Sequence, residues 1–131
     1  MIVDIISFGF KKNNPPTANY LIDVRFLNNP YYVDELRELT GLDSKVIDFF
    51  KVDKDTSEFL KNLYKWLEYI IMLNKKSNKG KIVVAIGCTG GQHRSPYITE
   101  NLAKYLLKKK IISELTIYHT ELKKYNVAVL S

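Results

Sequence analysis

At 131 residues and 46% hydrophobic content, the chain can fill one modest core, which predicts a single domain over residues 1–131. It has no uninterrupted apolar run of about 18 residues and no basic, cleavable leader, so the reading is of a cytoplasmic protein without a membrane span. A net charge of +6 favours phosphorylated or nucleic-acid partners, although lysine-rich composition and solvated faces account for much of it.

In chain order, Ile2 to Phe10 reads as an apolar strand, and Lys11 to Thr17, with Pro15-Pro16, as a break. Tyr20 to Val24 reads as a short strand of buried type that delivers Asp23 and Arg25 to its end. Asn28-Asn29-Pro30 is turn chemistry, since proline drives its predecessor out of the helical region. Short helices are expected at Val33 to Glu38 and Ser44 to Lys51, the second capped by Asp43. A long helix is expected from Ser57 to Asn74, capped by Asp55 or Thr56, with Phe59, Leu63, Trp66, Leu67, Ile70 and Ile71 as its apolar stripe.

Lys81 to Gly87 is a continuous apolar run of the kind buried in a parallel sheet. Ser95-Pro96 reads as an N-cap followed by proline at the first helical position. The helix carries Ile98, Leu102 and Leu106 and ends in Lys108-Lys109-Lys110, which complement the negative end of its dipole. Leu115 to His119 is a further strand. This alternation predicts an α/β fold, a mainly parallel sheet sandwiched by helices.

The segment Gly87-Cys88-Thr89-Gly90-Gly91-Gln92-His93-Arg94-Ser95 lies where such sheets bind ligands, at a strand's carboxyl end leading into a helix. Gly90 and Gly91 allow close backbone approach to an anion. The helix start adds a positive dipole end, Arg94 can grip two oxygens, and Thr89 and Ser95 supply hydroxyls. Only three of the 20 basic residues are arginines, Arg25, Arg37 and Arg94, which argues that each is kept for its bidentate fork.

Five residues separate Cys88, the lone cysteine, from Arg94-Ser95, the spacing of cysteine-dependent phosphatases. In that chemistry its thiolate attacks phosphorus, and an acid, Asp23 first or Asp43 second, protonates the leaving group. Gly87 stands where those enzymes usually carry histidine. Asp23 could instead accept sugar hydroxyls or an amine, or pair with Arg25 or Arg94 as a brace, while Tyr31 and Tyr32 could stack on a ring or simply pack. His93 and His119, the only histidines, are too few with Cys88 to argue for a metal, and no cofactor is expected.

Six ordered blocks extend the reading: Ser7-Phe8-Gly9-Phe10-Lys11, Asp23 to Leu27, Asn29-Pro30, Leu36-Arg37, Leu39 to Asp43, and Ala85 to Ser95, followed by His119, Leu122 and Lys124. Together they resemble the C-terminal domain of the RapZ family, the bacterial RNase adapter proteins. The resemblance implies a non-enzymatic regulatory domain that binds glucosamine 6-phosphate and a small regulatory RNA. It places Ser7, Asp23, Arg25, Cys88, Thr89, Gly90, Gly91, Gln92, His93, Arg94 and Ser95 at the ligand. His93 and Arg94, with the basic residues Lys108, Lys109, Lys110, Lys123 and Lys124, are the candidates for RNA.

Nothing in the chain matches the G-x-x-x-x-G-K-[ST] loop of the family's N-terminal domain, so ATP binding is not expected and a separate protein could supply that part. The apolar tail from Lys123 to Leu130 is expected to add a strand or pack against a partner subunit, in keeping with the homo-oligomers of the family.

Overall fold

The structure is a computed structural model that describes residues 1–129. Eight elements follow one another: β1 (Ile2–Gly9), β2 (Tyr20–Asp23), α1 (Ser44–Lys51), α2 (Lys54–Lys76), β3 (Lys81–Cys88), α3 (Arg94–Lys109), β4 (Glu114–His119) and β5 (Lys124–Val129). The strands form one sheet in the order β2-β3-β1-β4-β5, parallel except for β5. The α/β class and the mainly parallel sheet are therefore those expected from the sequence. The tail supplies the added strand, antiparallel to β4, and Leu130 lies outside the described residues.

Register sets the core. Val3 pairs with Ile82 and Leu115, and Ile5 with Val84 and Ile117, so these side chains form rows on one face. Against those rows pack Leu60, Leu63, Leu67 and Ile71 of α2 and Ile98, Leu102 and Leu106 of α3. Both crossovers, β2 to β3 and β3 to β4, advance the same way across the sheet, and the right-handed rule puts their helices on the same side. Helices thus cover one face, and the opposite face, with Asp4, Ile6, Thr116 and Tyr118, is a shallow groove.

Several elements differ from the sequence reading. β2 is an edge strand, with Leu21 51% exposed, and its brevity rather than its apolar content decides its place. The helix expected at Val33 to Glu38 is instead two 3-10 turns, Pro30–Tyr32 and Asp34–Leu36. α2 begins earlier, at Lys54 after Asp53, whose carboxylate accepts the Thr56 hydroxyl at 2.6 Å. Its buried stripe is Thr56, Leu60, Leu63, Leu67 and Ile71, while Trp66 is 41% exposed and packs edge-on against Tyr20. Asp43 precedes α1 as expected, but its side chain accepts the Thr40 N–H at 2.7 Å rather than an amide of the helix.

Candidate functional site

The uninterrupted apolar run of β3 ends at Cys88, flanked by the carboxyl ends of β2 and β1. From there the chain passes over Gly9 and enters α3. The Phe10 N–H donates to the Cys88 carbonyl at 2.9 Å and the Lys11 N–H to the Thr89 carbonyl at 3.1 Å, fixing the first residues of the turn. Gly91 has φ +68°, and a Cβ there would fall 2.4 Å from Glu121 Cγ and 2.7 Å from the Gly9 nitrogen. Gly90 faces open space.

The hydrogen bonding of this turn is lopsided. The carbonyls of Cys88, Thr89, Gln92 and His93 accept N–H groups of Phe10, Lys11, Gly41 and Tyr97. The amides of Thr89, Gly90, Gly91, Gln92 and His93 meet no acceptor among the described residues. Buried or half-buried main-chain donors are nearly always paired, so a run of open amides beside a helix start is an arrangement suited to an anion.

The side chains that follow reach away from the turn. Gln92 Nε2 donates to the carbonyls of Arg37 and Leu39 at 2.8 and 2.7 Å, and His93 Nε2 donates to that of Leu36 at 2.9 Å. Arg94 Nη1 donates to the carbonyls of Arg25 and Leu27 at 2.6 and 3.1 Å, and Nη2 to Thr89 Oγ1 at 3.2 Å. Three successive side chains therefore clamp the strap of residues 25–41. Two of the three oxygens that Arg94 holds are main-chain carbonyls, and the residue is only 5% exposed. His93 is also buried, and burial holds its pKa below the ordinary histidine value despite its bond to the strap.

Cys88 is 2% exposed, with its Sγ 3.4 Å from the Ser95 N–H and 3.2 Å from Ser95 Oγ. The Ser95 hydroxyl also lies 3.3 Å from the Phe8 carbonyl. Committed to these groups, Ser95 is not the N-cap: His93 holds that position, α3 starts at Arg94, and Pro96 is its third residue, still within the turn whose amides need no helical partner.

On the β2 side, Asp23 pairs with Arg25 and not with Arg94. Arg25 Nη2 lies 2.6 Å from Asp23 Oδ2, Nε lies 3.0 Å from each carboxylate oxygen, and the Arg25 N–H donates to Oδ1 at 2.9 Å. These bonds keep Asp23 below the usual carboxylate range. The Arg25 guanidinium covers the Phe10 ring, 3.9 Å from its centroid.

Ser7 faces the other way, under α3. Its Oγ is 2.6 Å from His119 Nδ1, and His119 Nε2 is 2.8 Å from Glu100 Oε2. The carboxylate requires Nε2 to donate, so in the neutral ring Nδ1 accepts the serine proton. Ser7 is fully buried, and this chain ties β1, β4 and α3 together beneath the turn. Glu100 and Glu121, which rims the turn at Gly91, escaped the sequence reading. Neither forms part of a recognisable spacing, and each meets its partners only through the fold.

The remaining candidates are spread out. Tyr31 and Tyr32 are exposed on the strap, packed edge to face, with Arg37 stacked over Tyr31. Lys123 ends the β4–β5 turn and Lys124 opens β5, at the same end of the sheet as the amides. Lys108, Lys109 and Lys110 end α3 at the opposite end, next to the start of β4. No group of three or more metal-ligating side chains comes together among the described residues, and no described helix is long and apolar enough to cross a membrane.

A family profile described as the RapZ C-terminal domain matches residues 1–123. A nucleotide-binding protein of Lactobacillus acidophilus is 45% identical over 123 residues, 94% of this chain and 41% of the relative. One of Actinobacillus pleuropneumoniae is 42% identical over 120 residues, covering 92% and 41% of the two chains. One of Vibrio cholerae is 41% identical over 118 residues, covering 90% and 41%. The chain spans about two fifths of the length of these curated relatives.

Proposed function

This chain belongs to the RapZ C-terminal domain family, and we propose that it is a non-enzymatic regulatory domain whose Cys88–Ser95 turn binds a phosphorylated amino sugar of the glucosamine 6-phosphate kind. The observation that carries the reading is the run of open amides from Thr89 to His93 at the start of α3. Arg94 supports it twice over: its Nη2 reaches back to the Thr89 hydroxyl within the turn, and its grip on the strap holds the turn in shape.

Structured RNA is the second ligand of the proposal, with Lys123 and Lys124 on the rim of the turn as its contacts. Lys108 to Lys110 form a separate basic surface. His93 and Arg94, being buried, act on RNA through the shape of the loop. The nucleotide binding named in the relatives is not part of the proposal, because no phosphate loop of the G-x-x-x-x-G-K-[ST] type occurs here.

A thermal-shift series with inorganic phosphate, glucosamine 6-phosphate, glucose 6-phosphate and nucleotides tests the reading, since a ligand that binds only the folded state raises its stability by mass action. A selective rise with sugar phosphates is expected. Absence of a shift with every phosphate would refute it.

The Cys88–Ser95 contacts favour a second reading, a cysteine phosphatase, because a serine hydroxyl and an amide aimed at sulfur suit a thiolate. Against it, the first-choice acid Asp23 is held by Arg25. Turnover of an aryl phosphate that disappears in Cys88→Ser would establish the enzyme and overturn the regulatory reading.

A further inference from the structure

We infer that Glu121 recognises a positively charged amine on the phosphorylated ligand and so sets the selectivity of the site. The inference rests on the phosphate-binding reading above. Four carboxylates stand on segments that border the turn, and their partners differ: Glu100 accepts from His119. Asp23 has both oxygens occupied by Arg25. Asp43 takes the Thr40 N–H inside its own loop.

Glu121 packs directly on the turn, its Cγ within 2.4 Å of where a Gly91 Cβ would stand. Its oxygens accept only neutral donors, the Gly9 N–H at 3.2 Å and Asn13 Nδ2 at 3.0 and 3.3 Å. It enters no ion pair among the described residues. A half-buried carboxylate held in place by two neutral donors has a fixed position and no cationic partner of its own, and so can select a cation.

Charge balance points the same way. Arg94 is the one cationic side chain of the turn, and its guanidinium is committed to the Arg25 and Leu27 carbonyls and the Thr89 hydroxyl rather than to Glu121. A phosphate that brings no positive charge meets open amides on one side and an uncompensated carboxylate on the other. A phosphate that also carries an ammonium group satisfies both, with the phosphate on the amides and the ammonium against Glu121. Asp23 could have played that part on sequence grounds, but its oxygens are already taken.

Isothermal titration calorimetry on the full chain, with one series in EDTA and one in magnesium, compares glucosamine 6-phosphate, glucose 6-phosphate and inorganic phosphate. The unsubstituted protein is expected to bind glucosamine 6-phosphate about tenfold or more tighter than glucose 6-phosphate, the factor set by one charge-assisted hydrogen bond. Glu121→Gln keeps the shape and an acceptor for Gly9, and is expected to bring the two sugar phosphates to nearly equal affinity without weakening glucose 6-phosphate. Asn13→Ala, which loosens the carboxylate but leaves its charge, is expected to reduce the preference only in part.

A preference that survives in Glu121→Gln overturns the inference, as does a preference seen only with magnesium, which would make Glu121 a metal ligand. Equal affinities in the unsubstituted protein overturn it while leaving the phosphate reading intact. If neither sugar phosphate nor inorganic phosphate binds, the reading of the turn itself fails, and the inference with it.

Discussion

Replacing Arg94 by alanine removes the donor of three hydrogen bonds and leaves the carbonyls of Arg25 and Leu27 facing a void where a guanidinium stood. A part-buried or buried acceptor that loses its partner costs about 1–3 kcal/mol, and the lost bonds are charge-assisted. Two such carbonyls, partly rescued by water entering the space, give a destabilisation of about 3 kcal/mol, a large share of the roughly 5–15 kcal/mol that holds a domain together. With a urea slope of about 1.5 kcal/mol per molar, the unfolding midpoint is expected to fall by about 2 M. Lysine at the same place restores the charge but only a single point donor, so Arg94→Lys should fall between the two. The assay is urea unfolding followed by tryptophan fluorescence, without any phosphate present. A midpoint in Arg94→Ala equal to that of the unsubstituted protein would refute the clamp and leave Arg94 as a ligand residue alone.

The two neighbouring glycines should separate by conformation. Gly91→Ala must accept φ +68° and a Cβ pressed on Gly9 and Glu121, so it is expected to lower the melting temperature strongly. Gly90→Ala meets nothing within 4 Å, so it should fold normally while its methyl group weakens phosphate binding in calorimetry. For His93, the folded pKa lies below the unfolded value, so the unfolded chain binds the extra proton first as pH falls. The stability it contributes is complete above about pH 6.5 and is lost as pH drops toward the folded pKa, and His93→Gln should flatten the melting temperature over that window. Asp23 titrates separately. Its contribution, modest because the pair is exposed, is present above about pH 4 and lost below it, and Asp23→Asn should change stability by less than about 1 kcal/mol.

What the sequence shows of this molecule follows the range of the forces involved. The apolar run of β3, the bounds of α1 and the glycine turn before α3 are local, and they were legible in the residues themselves. The segment Val33 to Glu38 looked helical because its composition permits a helix. Its carbonyls are instead drawn toward Gln92 and His93, donors more than fifty residues away, and short 3-10 turns result. In α2 the aromatic Trp66 and Phe59 outweighed Leu60 and Thr56 in the sequence pattern, yet burial depends on which side of the helix faces the core, and the smaller residues do. The place of the turn, between β3 and α3, is legible in the residues, whereas its division of labour depends on segments far along the chain. Arg94 looked like a ligand's partner from spacing alone, and only the fold shows it holding Arg25 and Leu27, with Glu121 brought to Gly91 from the far end of the chain.

The clamp made by Gln92, His93 and Arg94 has a consequence for how this domain can vary. Every contact these three side chains make with the strap ends on a main-chain oxygen, and every residue type supplies one. The strap's outward side chains, among them Phe26, Tyr31 and Tyr32, can therefore be exchanged without loosening its anchorage. The surface that surrounds the anion turn is in this sense interchangeable: one fixed grip can display many different exteriors, and new partners can be acquired without rebuilding the site beneath.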